Sequence, residues 1–335
     1  GRYSMKNTIE QLLSNCSEID FGTIALSNDQ EMFYDHFNRS ILLLCESLPD
    51  SAQTDALFFF MEYSGLSIGQ KLDFFKNYYV PSWSMIYWLG QYLPENQVSE
   101  KQDLQNAITA QAMAMILHSL DDHINDQQIP ASHLTLLLRS CSWTTMMQAL
   151  ENLIKDLKDG RKIVDDFINN YYSGILESDN NNTLEGYCES FKNQMATWLI
   201  VPVLMAKKMT TDKEFTHAIQ TAYESFGIAW RLLDDINDVE TDLKKGSQSA
   251  VYLCLPDDIK KNWGKDSGEK SLHNIDFSEV IYDSILKHNI VYRLQQKICK
   301  ALESAASLSD RCNMAGLANE YRCLLKPLKD ARVLK

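Results

Sequence analysis

Two near copies of one acidic pattern, Leu120–Asp126 and Leu233–Asp238, each follow a stretch of chain that is apolar on almost every side. A helix that is apolar all round is a buried helix, so both patterns extend helices out of a protein interior. Aspartates in that position must be paired or must bind a cation, because an unpaired buried charge is costly. Two further Asp-Asp pairs, at 165–166 and 257–258, lie in mixed contexts and are interpreted as surface residues.

Helical spacing indicates what these aspartates do. At about 100° per residue, Asp234, Asp238 and Asp242 share one face of a continuous helix, and Asp122 and Asp126 lie one turn apart. Carboxylates crowded on one face repel each other unless a divalent cation lies among them. Mg²⁺ takes oxygen ligands of this kind, usually together with substrate phosphates. The sequence therefore predicts a magnesium site at the ends of two buried helices.

The remainder of the chain is typical of a helical protein. Only 7 prolines and 13 glycines interrupt its 335 residues, which favours long helices over strands and turns. The predicted helices include 30–47, 104–120, 183–208 and 213–245. A kink is expected at Pro202. We expect an all-α fold of roughly ten or more helices, in a single domain at 5–335, with residues 1–4 as a remnant outside it.

The charge and the cysteines argue against several classes of protein. Lys+Arg number 32 against 45 for Asp+Glu, a formal net charge of −13. An acidic chain has no basic excess with which to bind nucleic-acid phosphates. The eight cysteines are scattered without a CxxC pair, which argues against zinc or a dense disulfide framework and favours a reducing compartment. Because no apolar run is long enough to span a membrane, we expect a cytoplasmic protein.

At the acidic motifs the chain resembles the class I isoprenoid synthase superfamily. Phe226–Asp242 is similar to the second aspartate-rich region of trans-polyprenyl diphosphate synthases, and His118–Asp126 is similar to the first. Between them, Tyr172–Gly174, Thr183–Tyr187 and Lys192 resemble the linking helices. The resemblance implies a helical bundle around a central cavity, with the two acidic regions facing each other across its mouth. It also implies a homodimer.

The resemblance further implies a reaction and the residues that perform it. In the superfamily, the two acidic regions hold three Mg²⁺ ions, which bind the diphosphate of an allylic prenyl substrate and remove it as the leaving group. The implied catalytic residues are Asp121, Asp122, Asp234 and Asp235. The implied metal ligands are these four together with Asp126 and Asp238. The residues expected to bind the substrate diphosphate are Lys192, Arg231, Lys244 and Lys245.

The hydrocarbon part of such a substrate needs a dry cavity. A carbocation left after loss of diphosphate is stabilised by apolar and aromatic walls. The candidate wall residues are Met115, Met195, Trp198, Phe226 and Trp230. Side chains one or two turns before Asp121 are expected to set the depth of the cavity, and the candidates by spacing are Leu117, Met113 and Ala114.

Departures from the family pattern bear on the type of reaction. Chain-elongating members carry an arginine pair just after the first region and a Gly-Lys-Arg cluster upstream, which bind isopentenyl diphosphate. Here Gln127–Pro130 follows the first motif, and Lys71 and Lys76 are the only basic residues in the relevant upstream stretch. We therefore favour a terpene synthase that uses one prenyl diphosphate.

Lys245, at the end of the second motif, argues against a terpene synthase. Asn237 and Thr241 match the terpene synthase pattern, but Lys245 stands where that pattern has an acid. Chain elongation with isopentenyl diphosphate therefore stays the alternative. A non-catalytic partner subunit of a prenyl synthase is a further one.

Overall fold

Sixteen helices form the framework of the computed structural model, which describes residues 2–92, 98–177, 181–265 and 276–330. Their bounds are α1 Arg2–Glu18, α2 Asn28–Glu46, α3 Asp50–Tyr63, α4 Pro81–Gly90, α5 Val98–Asn125, α6 His133–Ile154, α7 Gly160–Leu176, α8 Leu184–Gln194, α9 Ala196–Met209, α10 Lys213–Asn237, α11 Val239–Lys245, α12 Ala250–Cys254, α13 Asp257–Lys260, α14 Phe277–Lys287, α15 Ile290–Arg311 and α16 Ala315–Asp330. The all-α prediction is confirmed. The predicted domain at 5–335 extends to 331–335, which lie outside the described residues.

The helices that carry the acidic motifs lie at the centre of the fold. On α5, every residue from Ala110 to Leu117 is buried, as the apolar sequence of this stretch predicts. Helix α10 packs most extensively against α15, and α5 packs most extensively against α6. Both helices also pack against α4 and α9, which hold them in place relative to one another. The acidic motifs at the ends of these helices are therefore presented by rigid elements.

Two of the predicted helices are divided in the structure. The stretch 213–245 breaks at Asp238, whose φ of −98° and ψ of 14° separate α10 from α11. The i to i+4 pattern nevertheless continues across the break, since Asp242 N–H donates to Asp238 O at 2.8 Å. The stretch 183–208 divides at Met195, and α9 runs on through Pro202. This break lies seven residues before Pro202, where the kink stays a prediction.

The N-terminal helix is attached to the second acidic motif. Asn237 Nδ2 donates hydrogen bonds to Cys16 O and Ile19 O, both at 2.8 Å. These carbonyls lie at the end of α1, where backbone acceptors have no partner within the helix. Just beyond, Tyr79 OH donates to Asp20 Oδ1 at 2.5 Å. The asparagine of the motif therefore has a structural role, because it positions the N-terminal segment beside α10.

The structure bears on the expectations about membrane spans and cysteines. Within the described ranges, no helix combines the length and the apolar character that crossing a bilayer requires. The eight cysteines are free thiols, and five of them are buried.

Glu320 on α16 is a buried carboxylate that joins three helices. It accepts hydrogen bonds from Gln30 Nε2 of α2 at 3.1 Å, and from Ser84 Oγ and Trp88 Nε1 of α4 at 2.8 and 3.0 Å. All three donors are neutral. Burial raises the pKa of Glu320 to about 7, although these hydrogen bonds act in the opposite direction. The folded protein therefore binds a proton at Glu320 that the unfolded chain releases near its ordinary pKa.

Glu320 should make the protein less stable as the pH rises. Its contribution is fully present below the unfolded pKa and is lost as the pH rises through the folded pKa of about 7. Glu320→Gln removes this titration, so the free energy of unfolding of the variant should fall less between pH 4.5 and 7, by roughly 3 kcal/mol. Urea unfolding of both proteins across this range measures the difference. Equal pH dependence would show that Glu320 ionises normally in the folded protein.

Candidate active site

A cavity of about 340 Å³ lies between the two acidic motifs. Residues of α5 and α10 line it together with residues of α3, of α8 and α9, and of the turn before α4. Its aromatic lining residues are Tyr63, Phe74, Tyr78, Tyr79, Phe191, Trp198 and Trp230. Its other lining residues are Ser64, Asn77, His118, Ser119, Asp122, His123, Met195, Gly227, Arg231 and Asp234. One aspartate from each motif therefore reaches the same aromatic-walled space.

In the first motif, the two adjacent aspartates have different environments. Asp121 is held from outside the cavity: Arg139 Nε and Nη2 of α6 donate to its two oxygens at 2.9 and 3.2 Å. Tyr171 OH of α7 donates to Asp121 Oδ2 at 2.5 Å. Asp122 lines the cavity, and its Oδ2 is 3.2 Å from His118 Nε2 one turn earlier. Asp121 therefore fixes the end of α5, and Asp122 is the one available to a ligand.

In the second motif, it is the first aspartate that lines the cavity and the second that is held by other helices. Asp235, which is buried, accepts hydrogen bonds from Tyr187 OH of α8 at 2.5 Å and from the backbone N–H of Ala250 at 2.9 Å. Arg231 Nε donates to Tyr187 OH at 2.7 Å and lies 3.7 Å from Asp235 Oδ1. Asp234 lines the cavity. In both motifs, one aspartate is held by a tyrosine and an arginine while its neighbour faces the cavity.

The two aspartates that face the cavity differ in charge environment. Burial raises the pKa of Asp122, but the neighbouring His118 and Arg231 outweigh it, so the pKa is lowered. Burial raises the pKa of Asp234 to about 7, with contributions from Asp238, Asp235 and Asp20, and Arg231 opposes this only in part. Asp234 therefore lies among several carboxylates whose charge Arg231 offsets only in part. A bound divalent ion would relieve that excess.

The remaining acidic residues of the motifs lie at the edge of the site. Asp126 is exposed and does not line the cavity. Burial and the neighbouring Asp235 raise the pKa of Asp238, and burial with Asp235 and Asp238 raises that of Asp242 to about 7. These two residues therefore extend the concentration of negative charge along α11. Among the described residues, no three acidic, histidine or cysteine side chains converge into a ready-made metal site.

The predicted diphosphate-binding residues are distributed unevenly. Arg231 is the one fixed cation among the described residues that line the cavity, and its guanidinium lies 5.6 Å from the ring centre of Phe191. Lys192 is 2.8 Å from Glu189, and Lys244 is 3.1 Å from Glu240, both outside the lining. Lys245 is exposed, and it lowers the pKa of Asp238 and Asp242, which places its charge beside them.

The five predicted wall residues fall into two groups. Met195, Trp198 and Trp230 line the cavity, whereas Met115 and Phe226 are fully buried outside the lining. Phe226 supports the wall from behind, with its ring centre 5.8 Å from that of Trp230.

Gly227 lets Met195 approach α10 closely. A Cβ atom at Gly227 would lie 2.4 Å from Met195 Sδ. A larger residue at position 227 would therefore displace Met195 from the wall.

Several residues of the site are not predicted from the sequence. Arg139, Tyr171 and Tyr187 hold Asp121 and Asp235, but they belong to other helices, and no spacing rule connects them with the motifs. Tyr78 lies in a turn before α4, so no helical periodicity identifies it. Tyr63 OH forms a hydrogen bond with His123 Nδ1 at the edge of the cavity. The one sequence feature that could have identified His123 as a site residue is its position directly after Asp121 and Asp122.

Comparison with solved structures identifies the fold. A geranylgeranyl pyrophosphate synthetase from Pyrococcus horikoshii OT3 superposes with a TM-score of 0.61 at 12% identity, covering 97% of this chain and 100% of that one. A polyprenyl synthetase from Streptomyces coelicolor A3(2) gives 0.63 at 11% identity, covering 89% and 98%. A T. brucei farnesyl diphosphate synthase gives 0.57 at 15% identity, covering 90% and 99%.

The chain has the isoprenoid synthase fold. No protein-family model matches the sequence, and no curated protein matches it. At 11–15% identity, the similarity lies in the arrangement of helices and not in the sequence as a whole. These comparisons therefore identify the fold of the chain.

Arg139 should stabilise the fold through Asp121. In Arg139→Met, the Asp121 carboxylate keeps only Tyr171 as a partner, so the free energy of unfolding should fall by about 2 kcal/mol. The matched control is Lys162→Met, which removes an exposed ion pair between Lys162 and Asp166 with an N–O distance of 2.7 Å. Such a pair is worth less than about 1 kcal/mol. Equal losses in the two variants, measured by urea unfolding, would contradict the assigned role of Arg139.

Proposed function

We propose that this chain is an enzyme that ionises an allylic prenyl diphosphate with the help of Mg²⁺ and releases diphosphate. The observation that carries the proposal is the lining of the cavity. Asp122, Asp234 and Arg231 reach the same space, and half of the other residues that line it are aromatic. Charged groups at the mouth suit a diphosphate, and an aromatic interior suits the allylic cation that its departure leaves.

Magnesium fits the donor set of this site. Mg²⁺ is commonly held by one or two carboxylates, with substrate phosphates and water as its other ligands. Asp122 and Asp234 supply one cavity-facing carboxylate from each motif. When bound, Mg²⁺ neutralises the charge that develops on a departing diphosphate. The number of ions, three, stays a prediction from the family resemblance. The same holds for the further ligands Asp121, Asp126, Asp235 and Asp238.

The protein's own residues would position the substrate. Arg231, fixed by Tyr187 at 2.7 Å, would bind the diphosphate directly as a cation in the lining. Lys245 lies next to Asp238 and Asp242 and would contribute charge at the mouth, with Lys192 and Lys244 more distant. Asp121 and Asp235 would act as positioning residues, because their carboxylates already accept hydrogen bonds from other helices.

The interior would protect the cation from water. The indole rings of Trp198 and Trp230 lie with their centres 5.6 Å apart, and the Tyr78 ring centre is 6.0 Å from that of Trp230. Faces of aromatic rings attract cations, and the effect is stronger where water is excluded. The allylic cation would therefore be stabilised between these rings until an electron-rich group reacts with it.

The solved structures favour chain elongation as the outcome of the reaction. The three compared above are described as geranylgeranyl, polyprenyl and farnesyl diphosphate synthases. This supports the elongation alternative better than the terpene synthase that the sequence alone favoured. In elongation, the double bond of isopentenyl diphosphate attacks the allylic cation, and loss of a proton gives the longer diphosphate. We take elongation as the first candidate.

The charge of the cavity favours a reaction with one substrate as the second candidate. A second diphosphate would need its own cations, and Arg231 is the one fixed cation in the described lining. Lys71 instead pairs with Asp35 at 2.9 Å, and Lys76 Nζ donates to Gly65 O at 2.9 Å, both away from the lining. In this case the cation would react within the cavity or with water, and the enzyme would be a terpene synthase.

Product analysis distinguishes the two candidates. The full chain is incubated with Mg²⁺ and each of geranyl, farnesyl and geranylgeranyl diphosphate, with and without isopentenyl diphosphate. A longer diphosphate that forms only with isopentenyl diphosphate establishes elongation. A hydrocarbon or alcohol that forms without it establishes a terpene synthase. Absence of products under every condition, or turnover that persists in EDTA, would contradict the proposed function.

Substitution of the two cavity-facing aspartates should abolish turnover without unfolding the protein. Asp122→Asn and Asp234→Asn remove the carboxylates proposed to hold Mg²⁺, so kcat should fall roughly 100-fold or more. The matched control is Asp165→Asn, in an exposed Asp-Asp pair on α7. Its turnover should equal that of the unchanged protein. Circular dichroism checks the fold, and full activity in both cavity variants would exclude the metal assignment.

A further inference from the structure

The cavity occupies only the end of the helical bundle at which the acidic motifs lie, which we call the upper end. On α5 the lining ends at His118, one turn below Asp122, and on α10 it ends at Gly227, two turns below Asp234. At about 1.5 Å per residue, these depths are about 6 and 10 Å. The volume of about 340 Å³ is close to the lower end of the range of about 300 to 1,000 Å³ for small-molecule sites.

Two aromatic residues of the lining contact parts of α5 that lie deeper than His118, at Met115 and Gln111. Tyr78 OH lies within hydrogen-bonding distance of Ser119 Oγ and donates to Met115 O at 3.4 Å, which fixes the ring against α5. Trp198, at the start of α9, packs edge-on against His118 with ring centres 5.1 Å apart. The ring centres of Tyr78 and Trp198 are themselves 6.1 Å apart. These two residues form what we call the aromatic floor.

Beneath the aromatic floor lies a buried cluster of hydrogen-bonded side chains. Gln111, three turns below Asp122 on the same face of α5, donates through Nε2 to Trp198 O at 3.2 Å and to Tyr223 OH at 3.1 Å. Tyr223 OH in turn donates to Ser82 O at 2.8 Å. All three side chains are fully buried. A hydrocarbon chain extending past the aromatic floor would have to displace these hydrogen bonds, and each buried group left unpaired would be costly.

We infer that the aromatic floor of Tyr78 and Trp198 limits the prenyl chain of the substrate to about geranyl length. An isoprene unit adds four carbon–carbon bonds of about 1.5 Å, or about 5 Å when extended. The available depth of about 6 to 10 Å therefore accepts a dimethylallyl or geranyl chain, and an extended farnesyl chain would contact the floor. The inference rests on the proposed function, because it concerns the substrate of the same site.

The floor differs in position from the residues that sequence spacing suggests. Leu117, Met113 and Ala114 lie before the first motif on α5, and all three are buried outside the cavity lining. Here the chain-length limit comes from residues on two other segments, the turn before α4 and the start of α9. Substitutions in α5 and substitutions in the floor should therefore have different effects on substrate preference.

The test is the substrate preference of floor variants. Diphosphate release is measured with geranyl, farnesyl and geranylgeranyl diphosphate in Mg²⁺ and isopentenyl diphosphate, so that elongation and single-substrate turnover both give signal. The unchanged protein should prefer geranyl over farnesyl diphosphate by about 10-fold in kcat/KM. Trp198→Ala should shift this ratio toward farnesyl diphosphate by about 10-fold. Trp198→Leu, a smaller change, should shift it in the same direction if the alanine variant does not fold.

Two further variants test the position of the limit. Leu117→Ala is the matched control on α5 and should leave the ratio unchanged. Gln111→Leu, combined with Trp198→Ala, removes the amide below the floor and should extend acceptance to geranylgeranyl diphosphate. The inference is overturned if the unchanged protein uses all three substrates equally. It is also overturned if Leu117→Ala shifts the ratio while the Trp198 variants do not.

A binding measurement separates failure of the inference from failure of the proposed function. If no protein releases diphosphate from any substrate, the proposed function is wrong. Binding of geraniol and farnesol, followed by quenching of tryptophan fluorescence, requires neither metal nor turnover and still tests the floor. The unchanged protein should bind geraniol in preference, and Trp198→Leu should gain affinity for farnesol by about 10-fold. Equal gains in Leu117→Ala would overturn the aromatic floor.

Discussion

The site depends on one constraint of helical geometry: adjacent residues on a helix point about 100° apart. In each Asp-Asp pair of the motifs, one carboxylate lines the cavity, and its neighbour, turned by that angle, forms hydrogen bonds with other helices instead. The aspartates that do not line the cavity, Asp121 and Asp235, have their partners on other helices. Arg139 and Tyr171 hold Asp121, and Tyr187 with the backbone N–H of Ala250 holds Asp235. These contacts fix the helix ends that present Asp122 and Asp234.

The electrostatics of the cavity follow from this division. Asp122 has His118 as a partner, and its pKa is lowered, whereas Asp234 lies among other carboxylates, and its pKa is raised to about 7. Arg231 is the one fixed cation in the described lining. The Mg²⁺ that we propose for this site would neutralise its carboxylates and a bound diphosphate together. Below this charged mouth, Tyr78, Trp198 and Trp230 make the cavity aromatic.

Much of the helical architecture could be predicted from the local pattern of apolar residues. That pattern does not predict breaks within helices or contacts between distant parts of the chain. The apolar stretch before Asp121 predicts a buried helix, and α5 is one. The predicted helix at 213–245 divides at Asp238, since periodicity cannot show a change of backbone angles at a single polar residue. Asn237 illustrates the same limit: its side chain donates to Cys16 O and Ile19 O, partners from the far N-terminus of the chain. Contacts over such separations have no signature in local sequence.

The sequence by itself determined the all-α class and placed two acidic motifs at the ends of buried helices, because hydrophobic periodicity and the cost of buried charge act locally along the chain. Only the tertiary structure decided which aspartate of each pair faces the cavity and how deep that cavity is. Both depend on side chains from other helices and turns: Arg139 and Tyr187 hold aspartates of the motifs, and Tyr78 and Trp198 line the cavity. These residues meet only because the helices pack together, and packing joins positions that are distant in the chain.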